Sequence, residues 1–244
     1  MTLNDRNATL KELAPRGELR VGLNLSNFLL VKPGTGDPQG IVPDLARTLA
    51  AELGVPLRFV TYPSPGPLGE AVDSDAWDVA FLANEPARAT RIAFSPAYLE
   101  IPAGYLVPAG SPLSQIAEVD RPGVRIATMN SGAYTLYLQR TLKHAKLVLA
   151  QTIDESLRLF VEEGLEALAG LQARLISDQA RLPGSRILPG DFTAVQQAIG
   201  TSRLNERGAH FLAGFAERIR AQGLVQAAIA RHQVPGVRAA PAPI

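Results

Sequence analysis

Residues 77–107 (WDVAFLANEPARATRIAFSPAYLEIPAGYLV) contain the features that decide the predicted fold. The short apolar run Val79–Ala83 predicts a buried strand of a parallel sheet. A polar turn follows at residues 84–85, and Pro86 then favours the first turn of a short helix. Arg88 lies in that turn, close to backbone N–H groups that have no partner within a helix. A guanidinium beside such donors, at the end of a strand, predicts an anion-binding site.

The same order of strand, polar turn and helix occurs a second time further along the chain. Residues 124–127 are expected to form a strand and residues 134–142 a helix, with a polar turn between them. Ser131 is expected to cap this helix, which would leave free N–H groups for a ligand. In open α/β sheets the ligand lies beyond the carboxyl ends of the strands. The two patterns therefore predict an α/β protein with two lobes and an anion site in each.

Hydrophobic spacing and turn residues predict the remaining elements. The helix that begins at Pro86 is expected to end at residues 94–96, and a Pro/Gly turn at residues 63–69 is expected to lead into another short helix. The Pro- and Ala-rich residues 234–244 are expected to be loosely held. Strands are further expected at 19–23, 57–60, 101–107, 147–149, 165–168 and 192–199, and helices at 41–53, 153–161, 171–182, 204–220 and 224–232.

Composition excludes several classes of protein. The 244 residues are 46% hydrophobic and 19% charged, so the chain can bury a sizeable core. The net charge of +1, without a basic block, argues against a nucleic-acid partner, and no apolar run is long enough to span a bilayer. The chain has no cysteine, and its three histidines are not spaced as metal ligands. We therefore predict neither a metal nor another cofactor.

The order and spacing of these features resemble the amino-acid-type (family 3) solute-binding proteins of bacterial ABC importers. The features are the buried strand and polar turn, Pro-x-Arg at 86–88, Phe-Ser-x-x-Tyr at 94–98 and LVPAGSPL at 106–113. The resemblance extends from about Leu19 to Val234. It implies the type II periplasmic-binding-protein fold, in which two Rossmann-like lobes surround a ligand cleft.

The same resemblance implies the division of the chain into lobes. Lobe 1 would contain residues 1–107 and 199–244, and lobe 2 would contain residues 108–198. Two hinge crossings near residues 105–108 and 194–200 would join the lobes. The resemblance also implies a monomer, with an ABC permease as a partner.

Two parts of the ligand site follow from the resemblance. Arg88 matches the arginine that grips the carboxylate of the ligand. The turn at Ser131, Gly132 and Ala133 matches the lobe-2 turn whose backbone and hydroxyl hold the same carboxylate. Together they imply a small-molecule carboxylate or an amino-acid-like ligand.

The chain departs from the family where a ligand ammonium would bind. Asn24 stands in place of the first ammonium-binding acid, and the second falls near Leu171, in a segment without an acid. A buried ammonium needs a carboxylate partner, so these losses should weaken the binding of ordinary α-amino acids. Glu85 replaces the usual helix-capping Thr, and Ala83 replaces a neighbouring Ser. Glu85 could meet an ammonium, pair with Arg88 and neutralise it, or serve only as a cap.

Aromatic and amide side chains complete the candidate site. The aromatic residues could form walls of the site or belong to the core, and the asparagines could contact the ligand or serve the backbone. The aromatic candidates are Phe28, Phe81, Tyr98 and Tyr134, and the amide candidates are Asn27, Asn84 and Asn130.

The sequence therefore predicts a solute-binding protein that captures a small organic anion or an amino-acid-like ligand, without catalytic residues. One alternative is an enzyme that resembles cyclohexadienyl dehydratases, with Glu85 as general acid, although Arg88 would oppose that role by lowering its pKa. A second alternative is a cytosolic or sensor-type binding module. Residues 1–16 lack the apolar segment of a signal peptide, whereas the family is periplasmic, so a mature form and a cytoplasmic relative both remain open.

Overall fold

The structure, a computed structural model, describes residues 3–32, 34 and 36–241. The strands are β1 (Leu19–Asn24), β2 (Leu57–Tyr62), β3 (Val79–Ala83), β4 (Ile92–Phe94), β5 (Leu99–Val107), β6 (Arg125–Met129), β7 (Lys146–Ala150), β8 (Ala167–Leu171), β9 (Arg186–Ile187), β10 (Thr193–Ser202) and β11 (Arg238–Ala239). The helices are α1 (Leu3–Leu13), α2 (Ile41–Leu53), α3 (Pro65–Glu70), α4 (Pro86–Ala89), α5 (Ala133–Thr141), α6 (Ile153–Glu162), α7 (Gln172–Gln179), α8 (Glu206–Ala221) and α9 (Leu224–His232). Within the described ranges, no helix combines the length and the apolar character needed to cross a lipid bilayer.

The chain forms two compact units. Unit 1 contains the residues up to Glu100 and those from Gln196 onward, and unit 2 contains Ile101–Val195. The chain therefore passes from one unit to the other within β5 and again within β10. The lobe boundaries predicted after residues 107 and 198 lie further along the chain than these two points.

The sheet of unit 1 has the strand order β2, β1, β3, β10. β1 is parallel to both β2 and β3, and Val21 lies opposite Phe59 on one side and Val79 on the other. β10 is antiparallel to β3, with Ile199 opposite Phe81. All residues of β3 are buried, as the apolar run predicted. Because β1 and β3 are parallel neighbours, the segments that follow them lie side by side at the carboxyl end of the sheet.

The sheet of unit 2 has the strand order β5, β8, β6, β7. β6 is parallel to both β7 and β8, so that Ile126 lies opposite Leu147 and Ala167. β5 is antiparallel to β8, with Ala103 opposite Leu171. The segments that follow β6, β7 and β8 therefore share one end of this sheet, which is the arrangement that strand–turn–helix units require.

The helix α2 shows how local sequence determines an element in this chain. Leu45, Leu49 and Leu53 recur at helical spacing, and all three are buried. Burying each leucine contributes roughly 1.5–3 kcal/mol. Gly54 ends the helix in the left-handed conformation, with φ of 70°. These bounds agree with the prediction because the periodicity and the terminating glycine indicate the same end.

The helix after residue 85 is shorter than predicted. α4 ends at Ala89, whereas the prediction placed its end at residues 94–96. Ile92–Phe94 instead forms β4, which pairs antiparallel with β10. Gly200 lies opposite Phe94, and a Cβ at this glycine would come within 3.0 Å of the Phe94 ring. Pairing with a strand more than a hundred residues away decides this segment, so its local sequence could not show it.

Three smaller differences concern two element boundaries and one additional strand. α3 begins at Pro65, inside the predicted turn at 63–69, because proline fits the first position of a helix. α7 ends at Gln179, earlier than the predicted residue 182. The two-residue strand β9, which pairs with β5, was not predicted.

The amino-terminal helix α1 was also not predicted. Its buried side chains include those of Thr9 and Leu13. The Glu12 carboxylate accepts a hydrogen bond from the backbone N–H of Gly208, in the first turn of α8, at 2.7 Å. Since few of its residues are apolar, α1 depends on this contact with a distant helix rather than on its own periodicity.

The prediction that residues 234–244 are loosely held is wrong for Arg238 and Ala239. These residues form β11 and pair antiparallel with Leu99 and Glu100 of β5. The Arg238 Nε also donates a hydrogen bond to Glu100 at 2.7 Å. Residues 242–244 lie outside the described residues.

A carboxylate of unit 2 leads to a prediction about pH dependence. Asp120 accepts hydrogen bonds from the backbone N–H groups of Lys143, His144 and Ala145 at 2.8–2.9 Å. These bonds, first of all the one from Ala145, lower the pKa of Asp120 below its ordinary 3.8. Because the folded-state pKa is lowered, the stabilisation is present above about pH 4 and is lost as the pH falls through the folded pKa.

We therefore expect Asp120→Asn to lower the urea midpoint at pH 7, and the difference from wild type to shrink below about pH 4. Urea titrations followed by circular dichroism at several pH values would measure this. Asp73→Asn is a suitable control, because Asp73 forms only an exposed ion pair with Arg91. A difference that is equally large at pH 7 and at pH 2.5 would contradict the assignment.

Candidate functional site

The predicted site residues form two sets, and each set lies at the carboxyl end of parallel strands within its own unit. In unit 1 most of the set lies at or after the ends of β1 and β3, which are adjacent strands, and Phe81 lies within β3. In unit 2 the set follows β6. The first set is Asn24, Asn27, Phe28, Phe81, Asn84, Glu85 and Arg88, and the second set is Asn130, Ser131, Gly132, Ala133 and Tyr134.

Arg88 provides the positive charge of the unit 1 set. Its NH1 donates a hydrogen bond to the carbonyl oxygen of Ala83, the last residue of β3, at 3.1 Å. The aliphatic part of the side chain passes over Gly69, where an added Cβ would lie 3.7 Å from the Cδ of Arg88. Burial lowers the pKa of Arg88 to about 10, and the charge of Glu85 opposes this shift. The guanidinium therefore remains a cation at neutral pH.

Glu85 lies at the amino-terminal end of α4 and is 7% exposed. Its carbonyl oxygen accepts hydrogen bonds from the backbone N–H groups of Arg88 and Ala89, at 2.9 and 2.8 Å. Its side chain makes no capping hydrogen bond to the helix. The interpretation of Glu85 as only a helix cap is therefore wrong. Its carboxylate still interacts electrostatically with Arg88, as described above.

The two asparagines after β1 differ in their hydrogen bonding. Asn24 Oδ1 accepts from the backbone N–H of Ser26 at 3.0 Å and from its hydroxyl at 2.8 Å. This pattern is an Asx turn, so the Asn24 side chain serves the local backbone. Asn27 Oδ1 is buried and receives no hydrogen bond from the part of the chain that the structure describes.

The aromatic candidates of unit 1 differ in exposure. Phe81 is buried and packs edge-on against the fully buried Tyr98, with ring centroids 5.7 Å apart. Burial also raises the pKa of Tyr98. Phe28, by contrast, is 38% exposed. The Phe81–Tyr98 pair thus belongs to the core, and Phe28 has an accessible face. Asn84, after β3, is exposed.

The turn in unit 2 differs from the prediction at Ser131. Helix α5 begins after Gly132, which takes the N-cap position where Ser131 was predicted. Ser131 instead adopts the left-handed conformation with φ of 60°, and its N–H bonds to Asn130 Oδ1 at 2.9 Å. Tyr134 is buried, and its burial raises its pKa.

Sequence analysis missed a charged cluster at the same end of unit 2. The Arg174 Nε donates to both oxygens of the buried Asp178, at 2.8 and 2.9 Å, and its NH2 donates to Asp154 at 2.6 Å. Arg174 and Asp178 line a small cavity together with Tyr134 and Leu171. The i, i+4 spacing of Arg174 and Asp178 is the sequence signal that could have indicated this pair. Across the described positions, no group of three or more potential ligands could hold a metal ion.

In both units polar turns follow the carboxyl ends of parallel strands, which is where open α/β proteins bind their ligands. The family model for bacterial extracellular solute-binding proteins, family 3, matches residues 19–224. The chain therefore belongs to this family, and the resemblance seen in the sequence is confirmed.

Comparison with known proteins agrees with this assignment. A solute receptor for L-cysteine from Neisseria gonorrhoeae is 19% identical, with a TM-score of 0.76 over 94% of both chains. The ancestral amino acid-binding protein AncCDT-1, described as a precursor of cyclohexadienyl dehydratase, is 20% identical, with a TM-score of 0.73 over 92% of this chain and 99% of that one. The likeness shows the predicted type II periplasmic-binding-protein fold.

A curated relative differs in length. Membrane-bound lytic murein transglycosylase F from Yersinia pestis (strain Pestoides F) is 27% identical over 165 residues, which are 67% of this chain and 34% of the relative. The chain thus spans about a third of the length of this relative.

Proposed function

We propose that this protein is a solute-binding protein that captures a small carboxylate or an amino-acid-like ligand. In this proposal the guanidinium of Arg88 binds the carboxylate. The observation that carries the proposal is the placement of Arg88 at the carboxyl end of β3. Its side chain is anchored at Ala83, and its pKa of about 10 keeps it charged. A fixed guanidinium of this kind binds carboxylates strongly because it donates two parallel hydrogen bonds.

Family membership and the neighbouring structures support this function. The family consists of extracellular solute-binding proteins, and the neighbouring structures described above are named for binding L-cysteine and amino acids. On the ground of family membership we also propose that the protein acts outside the cytoplasm and that its partner is an ABC permease. The turn Ser131–Gly132–Ala133 of unit 2 is proposed as a further contact for the carboxylate. The transglycosylase activity of the longer relative is not part of this proposal, because this chain spans only a third of it.

The first prediction concerns ligand-induced stabilisation. A panel of small acids, amino acids and amines is screened by thermal shift on wild type and Arg88→Ala. A ligand at about a hundred times its Kd adds roughly 2.7 kcal/mol, which should raise Tm by about 5–10 °C. We expect carboxylates among the hits, and we expect their shifts to disappear in Arg88→Ala because the guanidinium is lost.

Arg91→Ala is the matched control. Arg91 is a neighbouring arginine whose partner is the exposed Asp73, with side chains 47% and 60% exposed. Each variant is compared with its own ligand-free Tm, so that a change in basal stability is not read as a loss of binding. Carboxylate shifts of equal size in Arg88→Ala, or the absence of any carboxylate hit, would contradict the proposal.

An enzyme of the dehydratase type is the second candidate. It is favoured by Glu85, a nearly buried carboxylate coupled to Arg88, and by the likeness to AncCDT-1. Proton NMR of each hit, incubated with a small molar fraction of protein, distinguishes the two functions. An unchanged spectrum supports binding alone, whereas a product that disappears with Glu85→Gln supports the enzyme.

A further inference from the structure

The turn after β6 contains a residue in a strained backbone conformation. Ser131 has φ of 60°, which lies in the left-handed region. Residues with a Cβ seldom adopt this conformation, because the Cβ comes too close to the backbone. Strained residues persist where the surrounding structure holds them, and they are frequent at ligand sites. The contacts that hold the Ser131 turn therefore bear on how the candidate site works.

Backbone hydrogen bonds hold the two sides of this turn unequally. The N–H of Asn130 donates to the carbonyl oxygen of Ala150 at 2.8 Å, which ties the start of the turn to the end of β7. The N–H of Ser131 donates to Asn130 Oδ1 at 2.9 Å. The N–H of Gly132 reaches the carbonyl oxygen of Met129 only at 3.4 Å, which is a long and weak bond. These backbone bonds therefore hold the helix side of the turn less firmly than the strand side.

A buried threonine holds the helix side. Thr135 lies in the first turn of α5 and is fully buried. Its hydroxyl donates a hydrogen bond to the carbonyl oxygen of Met129, the last residue of β6, at 2.7 Å. The bond spans the turn, because it joins the residue before the turn to the helix after it.

A second buried hydroxyl extends this bond into a chain. The hydroxyl oxygens of Thr128 and Thr135 lie 2.6 Å apart. A hydroxyl has one hydrogen and a carbonyl oxygen can only accept, so Thr135 gives its hydrogen to Met129. Thr128 must therefore donate to Thr135. The bond that reaches the turn belongs to Thr135 alone.

The two hydroxyls are not needed to fill the core. Valine has nearly the shape of threonine, and replacing both partners of a buried hydrogen bond by apolar groups of the same shape can be almost neutral for stability. Two valines would occupy this space without a polar atom to satisfy. A buried hydroxyl chain that ends at the candidate site is thus better explained by what it does to the Met129 carbonyl.

We infer that Thr135 is a positioning residue, which fixes the Ser131 turn in its carboxylate-binding conformation by holding the carbonyl of Met129. The inference rests on the proposed function, in which residues 131–133 contact the carboxylate, and adds the residue that pre-organises them. Thr135 acts through the turn, because its own side chain is fully buried. A pre-organised turn binds more tightly, since less conformational freedom is lost when the ligand arrives.

The test compares four variants with the wild type. Thr135→Val removes the bond to Met129, and Thr135→Ser keeps a hydroxyl at that position. Thr128→Val is the matched control, because it removes a buried hydroxyl of the same kind but leaves the bond from Thr135 to Met129. The double variant Thr128→Val/Thr135→Val also removes the hydroxyl that Thr135→Val leaves without an acceptor.

Calorimetry measures the Kd of acetate, succinate, L-alanine and L-glutamate, which belong to the classes of compound in the thermal-shift panel. For the probe that binds the wild type most tightly, Thr135→Val should weaken binding by about tenfold, the effect of losing one hydrogen bond. Thr128→Val and Thr135→Ser should stay within about twofold of the wild type, because both keep a hydroxyl bonded to Met129. Amide hydrogen exchange of the ligand-free protein should be faster at Ser131 and Gly132 in Thr135→Val alone among the single variants.

The double variant separates positioning from stability. It should recover the Tm that Thr135→Val loses, because no buried hydroxyl then lacks an acceptor, but its binding should remain weak. A merely structural pair of hydroxyls predicts instead that Tm and binding recover together.

Five results would overturn the inference. They are wild-type affinity in Thr135→Val, an equal loss of affinity in Thr128→Val, no rescue by Thr135→Ser, unchanged amide exchange at Ser131 and Gly132, and failure of Thr135→Val to fold. In each of them the proposed function stands as long as the wild type binds a carboxylate through Arg88. If the wild type binds no carboxylate, the proposed function and the inference fail together.

Discussion

Replacing Asp78 with alanine is expected to lower the free energy of unfolding by about 3–5 kcal/mol, because it leaves the buried Arg20 guanidinium with the exposed Asp75 as its remaining carboxylate partner. The two side chains are only 2% and 3% exposed. Arg20 donates to Asp78 from Nε at 3.0 Å, from NH2 at 2.6 Å and from its backbone N–H at 2.8 Å. The substitution removes all three bonds. For a chain of this length, Tm should fall by roughly 6–20 °C.

Urea denaturation and calorimetry would measure this loss, with Asp73→Ala as control. Asp73 pairs with Arg91 on the surface, where removing one partner should cost less than about 1 kcal/mol. The double variant Arg20→Met/Asp78→Leu should recover part of the stability, because it also removes the buried charge that has lost its main partner. It also removes the bonds that Arg20 donates to the carboxylate and the carbonyl of Asp75. Recovery should be incomplete, since the backbone N–H of residue 20 still lacks the Asp78 oxygen. A loss below about 1 kcal/mol in Asp78→Ala would show that the buried pair contributes little.

The second large effect is expected for Gly40→Ala. Gly40 precedes α2 with φ of 128° and ψ of −175°, a conformation that is accessible almost only to glycine. A Cβ there would lie 2.5 Å from the carbonyl oxygen of Leu30, which accepts a hydrogen bond from Val42. Backbone strain and the steric clash, each about 1–3 kcal/mol, predict a loss of about 2–6 kcal/mol.

Gly36→Ala is the matched control for this substitution. A Cβ at Gly36 would meet no atom within 4 Å, so the change should stay within about 0.5 kcal/mol. Urea midpoints of the two variants measure this difference. Unchanged stability in Gly40→Ala would contradict the strain argument.

Much of the fold was accessible from local sequence. The apolar run Val79–Ala83 and the leucine spacing of α2 formed as predicted. The helix predicted at 153–161 also formed, and the Thr152 side chain caps it by accepting a hydrogen bond from the backbone N–H of Glu155. These elements are set by side chains within one or two turns of each other, so neighbouring residues contain the necessary information. The strand order was not predicted from any of these local motifs.

The candidate site was predicted less completely. Arg88 was found because a strand, a turn and Pro86 precede it, and these signals are local. The lengths of α4 and β4 were missed because β10 decides them. The Arg174–Asp178 pair and the contrast between Asn24 and Asn27 became visible only once burial and hydrogen-bond partners were known.

The sequence by itself determined the α/β class, the position of most strands and helices and the family, because these depend on periodicity and on the order of short motifs. Only the tertiary structure decided which buried polar groups have hydrogen-bond partners. Whether an oxygen such as Asn27 Oδ1 has a donor depends on residues brought together by folding. Burial, which lowers the pKa of Arg88 to about 10, likewise depends on packing against a segment as distant as Gly69.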